Sequence, residues 1–118
     1  MQHAVNDIGT KAKNATTSTE SAVQYFLDYA YHNRDAEIIF RASEMILQSD
    51  SDASYLVMPE ARSRAGGYHF LGSKDRTLFN GAIYVLARVI KNVMASAMEA
   101  EVSALYDNAQ KSWNFGRR

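Results

Sequence analysis

Hydrophobic residues recur at helical spacing in two parts of the chain, one towards each end. Thr17 and Glu20 have the spacing of a capping box, and the helix that they predict ends near His32–Asn33. The apolar face of this helix consists of Ala22, Val23, Phe26, Leu27 and Ala30. A second helix is predicted from about Ser96 to Gln110. One face of this helix is an apolar stripe that we expect to be buried against a sheet, and it consists of Met98, Val102, Leu105, Tyr106 and Ala109.

The residues between these helices have the shorter period that is typical of strands. Segments 37–40 and 45–52 are predicted as strands, and a further strand is predicted at 68–71. β-branched and aromatic residues at 82–90 favour a long strand there, with a short buried helix as the alternative. Segment 53–65 contains the only proline and is expected to form a loop.

Composition places the chain among small globular proteins of a single domain. It has 118 residues, of which 47% are hydrophobic and 22% charged, so it can bury a core. The absence of cysteine excludes disulfide frameworks and thiolate zinc sites. No apolar run approaches the roughly 20 residues that span a bilayer, and no signal peptide is apparent. We therefore expect an intracellular chain, in the cytoplasm or nucleus, that is neither secreted nor bound to a membrane.

Charge is distributed unevenly although the formal net charge is zero. Residues 20–52 contain seven acids and two bases, whereas residues 60–91 contain six bases and two acids. An acidic and a basic segment in one small fold could hold a metal ion beside a polyanion. A mixed surface charge that only keeps the protein soluble explains the same distribution.

Carboxylates and arginines supply the candidate chemistry. Asp52 ends a predicted strand, and either Glu99 or Glu101 could reach it if the last helix crosses that strand. Hard cations such as Mg²⁺ prefer such oxygen ligands, although acids at the rim of a sheet are also commonly only solvated. Arg62 and Arg64 lie beside a glycine pair and could contact phosphate oxygens.

Five segments, taken in order, resemble the ribonuclease H region of copia-like retrotransposon reverse transcriptases. The first two are the helix VQYFLDYAY at 23–31 and the strand DAEIIF at 35–40. Residues 51–55 resemble the Ser-Asp-Ala signature of the first core strand, and residues 62–68 resemble the opening of the second strand. Residues 96–105 resemble the helix motif Ser-x-x-Glu-Ala-Glu-x-x-Ala-Leu.

The resemblance implies a fold class and a division of the chain. The fold is expected to be α/β and ribonuclease H-like but truncated. A mostly antiparallel sheet of three to four strands would carry a C-terminal helix packed on it, with an N-terminal helix before it. Residues 1–16 would form a flexible arm, 17–44 a connecting helix and strand, and 45–118 a partial ribonuclease H-like domain.

The resemblance also implies an activity and its residues. In the complete protein this region would hydrolyse the RNA strand of an RNA–DNA hybrid with Mg²⁺ or Mn²⁺. Asp52 and Glu101 carry over as catalytic metal ligands, and Arg62 and Arg64 are the candidate nucleic-acid contacts. The family needs two further carboxylates, yet no acid follows Asp107. We therefore expect a fragment that is inactive alone and binds metal weakly, because lost ligands weaken two-ion chemistry severely.

Expected partners follow from the same resemblance. They are an RNA–DNA hybrid or other nucleic acid and the remainder of a retroelement polyprotein. The strand that ends at Asp52 would lack its neighbour and expose an edge, which favours self-association. The alternative is a non-catalytic module that binds nucleic acid or a partner protein through the basic segment 60–91 or through this edge.

Overall fold

The computed structural model describes residues 1–76 and 79–116 and divides the chain into two compact units. Unit 1 is Met1–Glu37 and unit 2 is Ile38–Arg118. Within the described residues, no helix is both long enough and apolar enough to cross a membrane.

Unit 1 consists of two helices joined by a short 3₁₀ turn. Helix α1 is Gln2–Lys11 and helix α2 is Thr17–His32. Most of the segment 1–16, which was expected to be an arm without regular structure, is therefore helical. A local ion pair stabilises this helix, because the Lys11 Nζ lies 2.8 Å from the Asp7 carboxylate, one helical turn away. Ala4 and Ile8 of α1 also line a pocket together with residues of α2. Two apolar residues one helical turn apart are too few to stand out as an apolar period in the sequence.

Helix α2 confirms the predicted N-terminal helix, but its N-cap is one residue earlier than the predicted Thr17. Thr16 is the N-cap, and its hydroxyl accepts from the Thr19 N–H. The Thr19 hydroxyl accepts in turn from the Thr16 N–H at 3.2 Å. Thr17 is therefore the first helical residue, and Glu20 takes no part in the capping box.

Unit 2 contains a three-stranded antiparallel sheet. Its strands are β1 (Ile46–Met58), β2 (Arg62–Gly72) and β3 (Ala82–Val89), in the order β1-β2-β3. The strand predicted at 82–90 is confirmed in place of the helical alternative. The α/β class, with an antiparallel sheet, an N-terminal helix and a C-terminal helix packed on the sheet, is confirmed as well.

The loop predicted at 53–65 is wrong. β1 continues to Met58 and β2 begins at Arg62, so the turn occupies only Pro59–Ala61. Glu60 and Ala61 adopt positive φ angles there, which lets the chain reverse within three residues. Arg62 and Arg64, expected in a loop, therefore belong to β2.

The strand predicted at 37–40 is also wrong. This segment is extended but pairs with the sheet region through only a few bonds. The Ile39 carbonyl accepts from the Gly81 N–H at 2.9 Å, and the Asn80 side chain bonds both backbone groups of Arg41. Ile38, Ile39 and Phe40 remain 50% or more exposed, which explains why an apolar run here forms no ladder.

Helix α3 (Ala97–Gly116) packs on one face of the sheet and extends beyond the predicted end at Gln110. The core beneath it consists of Ala65, Leu86, Ile90, Met94, Ala100 and Ala104. The apolar stripe that we expected to be buried is exposed instead. α3 turns its small residues Ala100 and Ala104 to the sheet, because small side chains let a helix approach closely.

Candidate metal centre and nucleic-acid interface

Alternation along β1 decides where the predicted metal ligand Asp52 lies. Ser51 faces α3, because its Oγ accepts from Asn108 Nδ2 at 3.0 Å. Tyr55 is on the same face, since its hydroxyl donates to the Ala95 carbonyl at 3.0 Å. Successive side chains of a strand point to opposite faces. Asp50 and Asp52 therefore project from the face that α3 does not cover.

Glu101, the second predicted ligand, is exposed on α3 and thus on the other side of the sheet from Asp52. The expectation that these two carboxylates converge is wrong in this structure. The cause is a one-residue alternation, which places Ser51 and Ala53 under the helix in place of Asp52. Across residues 1–76 and 79–116, no three histidine, aspartate or glutamate side chains are grouped closely enough to hold a metal ion.

The neighbouring acids Asp50 and Glu99 have structural partners. The Asp50 carboxylate accepts from Arg76 Nη2 at 2.6 Å, and Arg76 Nε donates to the Gln48 side chain. At the start of α3, the Ser96 Oγ accepts from the Glu99 N–H at 3.1 Å. The Glu99 carboxylate accepts from the Ala95 N–H at 2.7 Å, so Glu99 caps the helix.

Arg62 and Arg64 do not form an open phosphate clamp. Arg62 pairs with the Glu60 carboxylate at 2.9 Å. Arg64 is only 8% exposed, and its Nη2 lies 3.3 Å from the Met58 sulfur. The two arginines share one side of β2, but Arg64 is buried and Arg62 is paired with an acid, so they do not form an open pair.

Other bases of segment 60–91 are paired as well. Arg76 contacts Asp50, and Arg88 contacts Asp107 of α3. The two opposite charges of an exposed ion pair largely cancel at distances beyond a few ångströms, where salt screens what remains of their field. Acids from outside the segment therefore offset part of its positive charge, at Arg76 and Arg88.

A buried polar network that was not predicted from the sequence holds α3 on the sheet. His69 is 0% exposed, and its Nε2 lies 2.9 Å from Asn108 Oδ1. The two hydrogens of the Asn108 amide group are shared among three acceptors at 2.9–3.0 Å, namely Ser51 Oγ, the Gly66 carbonyl and the Ala104 carbonyl. The Asn108 oxygen can only accept, so it accepts from His69 Nε2–H, and the Ser112 hydroxyl lies 3.3 Å from His69 Nδ1 on the other side of the ring.

This Ser112–His69–Asn108 chain has the order of a nucleophile, a base and an orienting group. Its place in the fold gives it a structural role, since the imidazole is fully buried and Ser112 lies within the last turns of α3. One signal in the sequence could have found it. Asn108 follows Ala100 and Ala104 at intervals of four, which marks a narrow second face of α3.

The resemblance to the copia-like ribonuclease H region depends on five segments, of which 51–55 lie on β1, 62–68 lie on β2 and 96–105 fall at the start of α3. A scan of protein-family models, a search of curated proteins and a search of solved structures each found no match to the chain.

Proposed function

We propose that unit 2 is the first part of a ribonuclease H-like fold, derived from the ribonuclease H region of a copia-like retrotransposon reverse transcriptase. Its topology supports this, because a β1-β2-β3 antiparallel meander is followed by a helix packed on the sheet. The Ser-Asp-Ala motif falls on β1, and the Glu-Ala-Glu motif opens α3. In the family that this region resembles, the complete protein hydrolyses the RNA strand of an RNA–DNA hybrid.

We further propose that this chain by itself is not a nuclease. One observation carries this proposal, namely that Asp52 and Glu101 project from opposite sides of the sheet. Two-ion cleavage needs carboxylates that bridge metal ions about 4 Å apart, which side chains on separate faces do not provide.

A hybrid-cleavage assay tests this proposal. With Mg²⁺ or Mn²⁺, the wild-type chain is expected to cleave an RNA–DNA hybrid no faster than Asp52→Asn does. Both should match a blank without protein. Metal-dependent cleavage that disappears in Asp52→Asn, with circular dichroism unchanged, would contradict a non-catalytic role.

The non-catalytic role that fits best is binding a protein partner through the open edge of β1. β1 is a 13-residue strand, and within the described residues only β2 pairs with it. Its outer edge therefore presents unpaired backbone groups to any strand of suitable length. The remainder of a retroelement polyprotein is the partner that the proposed origin suggests.

Nucleic-acid binding is the competing role, and salt dependence separates the two. Because Arg62, Arg76 and Arg88 are in ion pairs, we expect no saturable binding of a labelled RNA–DNA hybrid at physiological ionic strength. Fluorescence anisotropy measures this directly. Binding that weakens by orders of magnitude between about 50 and 200 mM salt would favour a nucleic-acid role instead.

A further inference from the structure

α3 carries a row of large apolar side chains on the side that faces away from the sheet. We call this row the outer stripe, and it consists of Met98, Val102, Leu105, Tyr106, Ala109 and Trp113. Its five large members are between 60% and 77% exposed. The helix thus buries alanines and leaves its largest apolar groups in water, which is the signature of a surface that another molecule covers.

We propose that the outer stripe is a homodimer interface, in which the α3 helices of two copies pack antiparallel about a two-fold axis. This surface is separate from the β1 edge, so the inference goes beyond the proposed function. The spacing within the stripe identifies the occupant. Successive members are four, three, one, three and four residues apart, a sequence of intervals that is the same in both directions.

This symmetry of spacing makes the stripe complementary to itself. A two-fold axis between Leu105 and Tyr106 places Met98 level with the partner's Trp113, and Val102 level with the partner's Ala109. The methionine sulfur then meets an aromatic ring, a favourable contact. A two-fold interface requires one patch that matches itself in this way.

The charges beside the stripe favour the antiparallel arrangement. In that arrangement Glu101 is level with the partner's Gln110, which carries no charge. Two helices packed in parallel would bring Glu101 beside its own copy, and like charges across an interface are unfavourable.

The area of the stripe is sufficient for a stable dimer. An aromatic side chain can bury roughly 150–250 Å². Tyr106 and Trp113 are about two-thirds exposed, and with the three smaller members the stripe offers on the order of 600 Å² per copy. Complete burial of the stripe in two copies would remove at most about 1,300 Å² from water, which reaches the lower end of the range of specific protein interfaces.

Sedimentation velocity of the full chain tests the inference. At tens of micromolar, the wild type is expected to sediment at twice the 13.2 kDa chain mass. Leu105→Asp places a charge at the proposed axis and should weaken the dimer by on the order of 100-fold or more, giving a monomer. Asn114→Asp adds the same charge to α3 outside the stripe and should remain dimeric.

A second variant distinguishes a loss of dimerisation from a loss of folding. Met98→Glu lies in the first turn of α3, where an acid suits the helix dipole, and it should also give a monomer with an unchanged circular dichroism spectrum. A wild type that is monomeric at this concentration overturns the inference. A dimer that survives both Leu105→Asp and Met98→Glu uses another surface, such as the β1 edge, and overturns it while leaving the proposed function intact.

Cysteine cross-linking tests the orientation of the helices, because the natural chain has no cysteine. Leu105→Cys lies near the axis and should form a disulfide-linked dimer under mild oxidation. Met98→Cys lies far from its own copy and should not. Efficient linkage through Met98→Cys in place of Leu105→Cys would indicate parallel helices and contradict the arrangement.

Discussion

Replacing Asn108 with alanine is expected to lower the free energy of unfolding of unit 2 by about 3–4 kcal/mol. Asn108 is 1% exposed and joins α3 to two strands, through His69, Ser51 and the Gly66 carbonyl. Alanine leaves the buried His69 Nε2–H and the Gly66 carbonyl without these partners. Each buried group that loses its hydrogen bond costs about 1–3 kcal/mol.

Urea denaturation followed by circular dichroism and by the single tryptophan, Trp113, measures this change. Asn114→Ala is the matched control, because it makes the same substitution at an exposed position of α3. Both variants gain the higher helix propensity of alanine, so their difference isolates the buried network. A loss below about 1 kcal/mol for Asn108→Ala would mean that the network contributes little to stability.

The elements of unit 2 were predictable from the sequence where period and residue type agreed. The β-branched run at 82–90 indicated β3, and the apolar period after Ser96 indicated α3. The hairpin was harder, since Pro59 and the polar residues around it also suit a long loop. Strand pairing overrode local composition there and shortened the turn to Pro59–Ala61.

The candidate site was less predictable, for two physical reasons. A shift of one residue in a strand reverses its faces, and the sequence did not reveal whether Ser51 or Asp52 lies under α3. Periodicity also detects an apolar face without showing what covers it. The stripe that contains Leu105 therefore predicted the helix correctly and its buried side wrongly.

The Gly66–Gly67 pair also acquires a different meaning in the structure. In the sequence it separated a predicted loop from a predicted strand, and it was too short to form a phosphate-binding loop. In the fold both glycines lie inside β2, and Gly67 lies directly below the side chain of Asn108. Neither has a positive φ, so backbone conformation is not what requires glycine. At Gly67, glycine is required because the Asn108 side chain leaves no room for a Cβ.

Gly67→Ala is therefore expected to lower the free energy of unfolding of unit 2 by about 2–3 kcal/mol. A Cβ at this position would lie 1.8 Å from Asn108 Oδ1 and 2.7 Å from Asn108 Cγ. Asn108 has a short side chain held by hydrogen bonds on both its oxygen and its nitrogen, so it cannot move aside without breaking them. Gly66→Ala is the matched control, because its Cβ would meet only the Asp52 carbonyl at 3.6 Å, an ordinary contact.

Combining the two substitutions separates a direct clash from a general weakening of the sheet. Asn108→Ala removes the atoms that a Cβ at Gly67 would strike, so Gly67→Ala should cost less than about 1 kcal/mol in that background. The coupling energy between the two sites should accordingly reach about 1.5 kcal/mol or more, a size expected for residues in contact. Additive effects in urea denaturation would show that Gly67 is required for a reason other than Asn108. The close packing of α3 on β2 would then need another cause. The same would hold for the orientation of α3 that turns Leu105 and Glu101 away from the sheet.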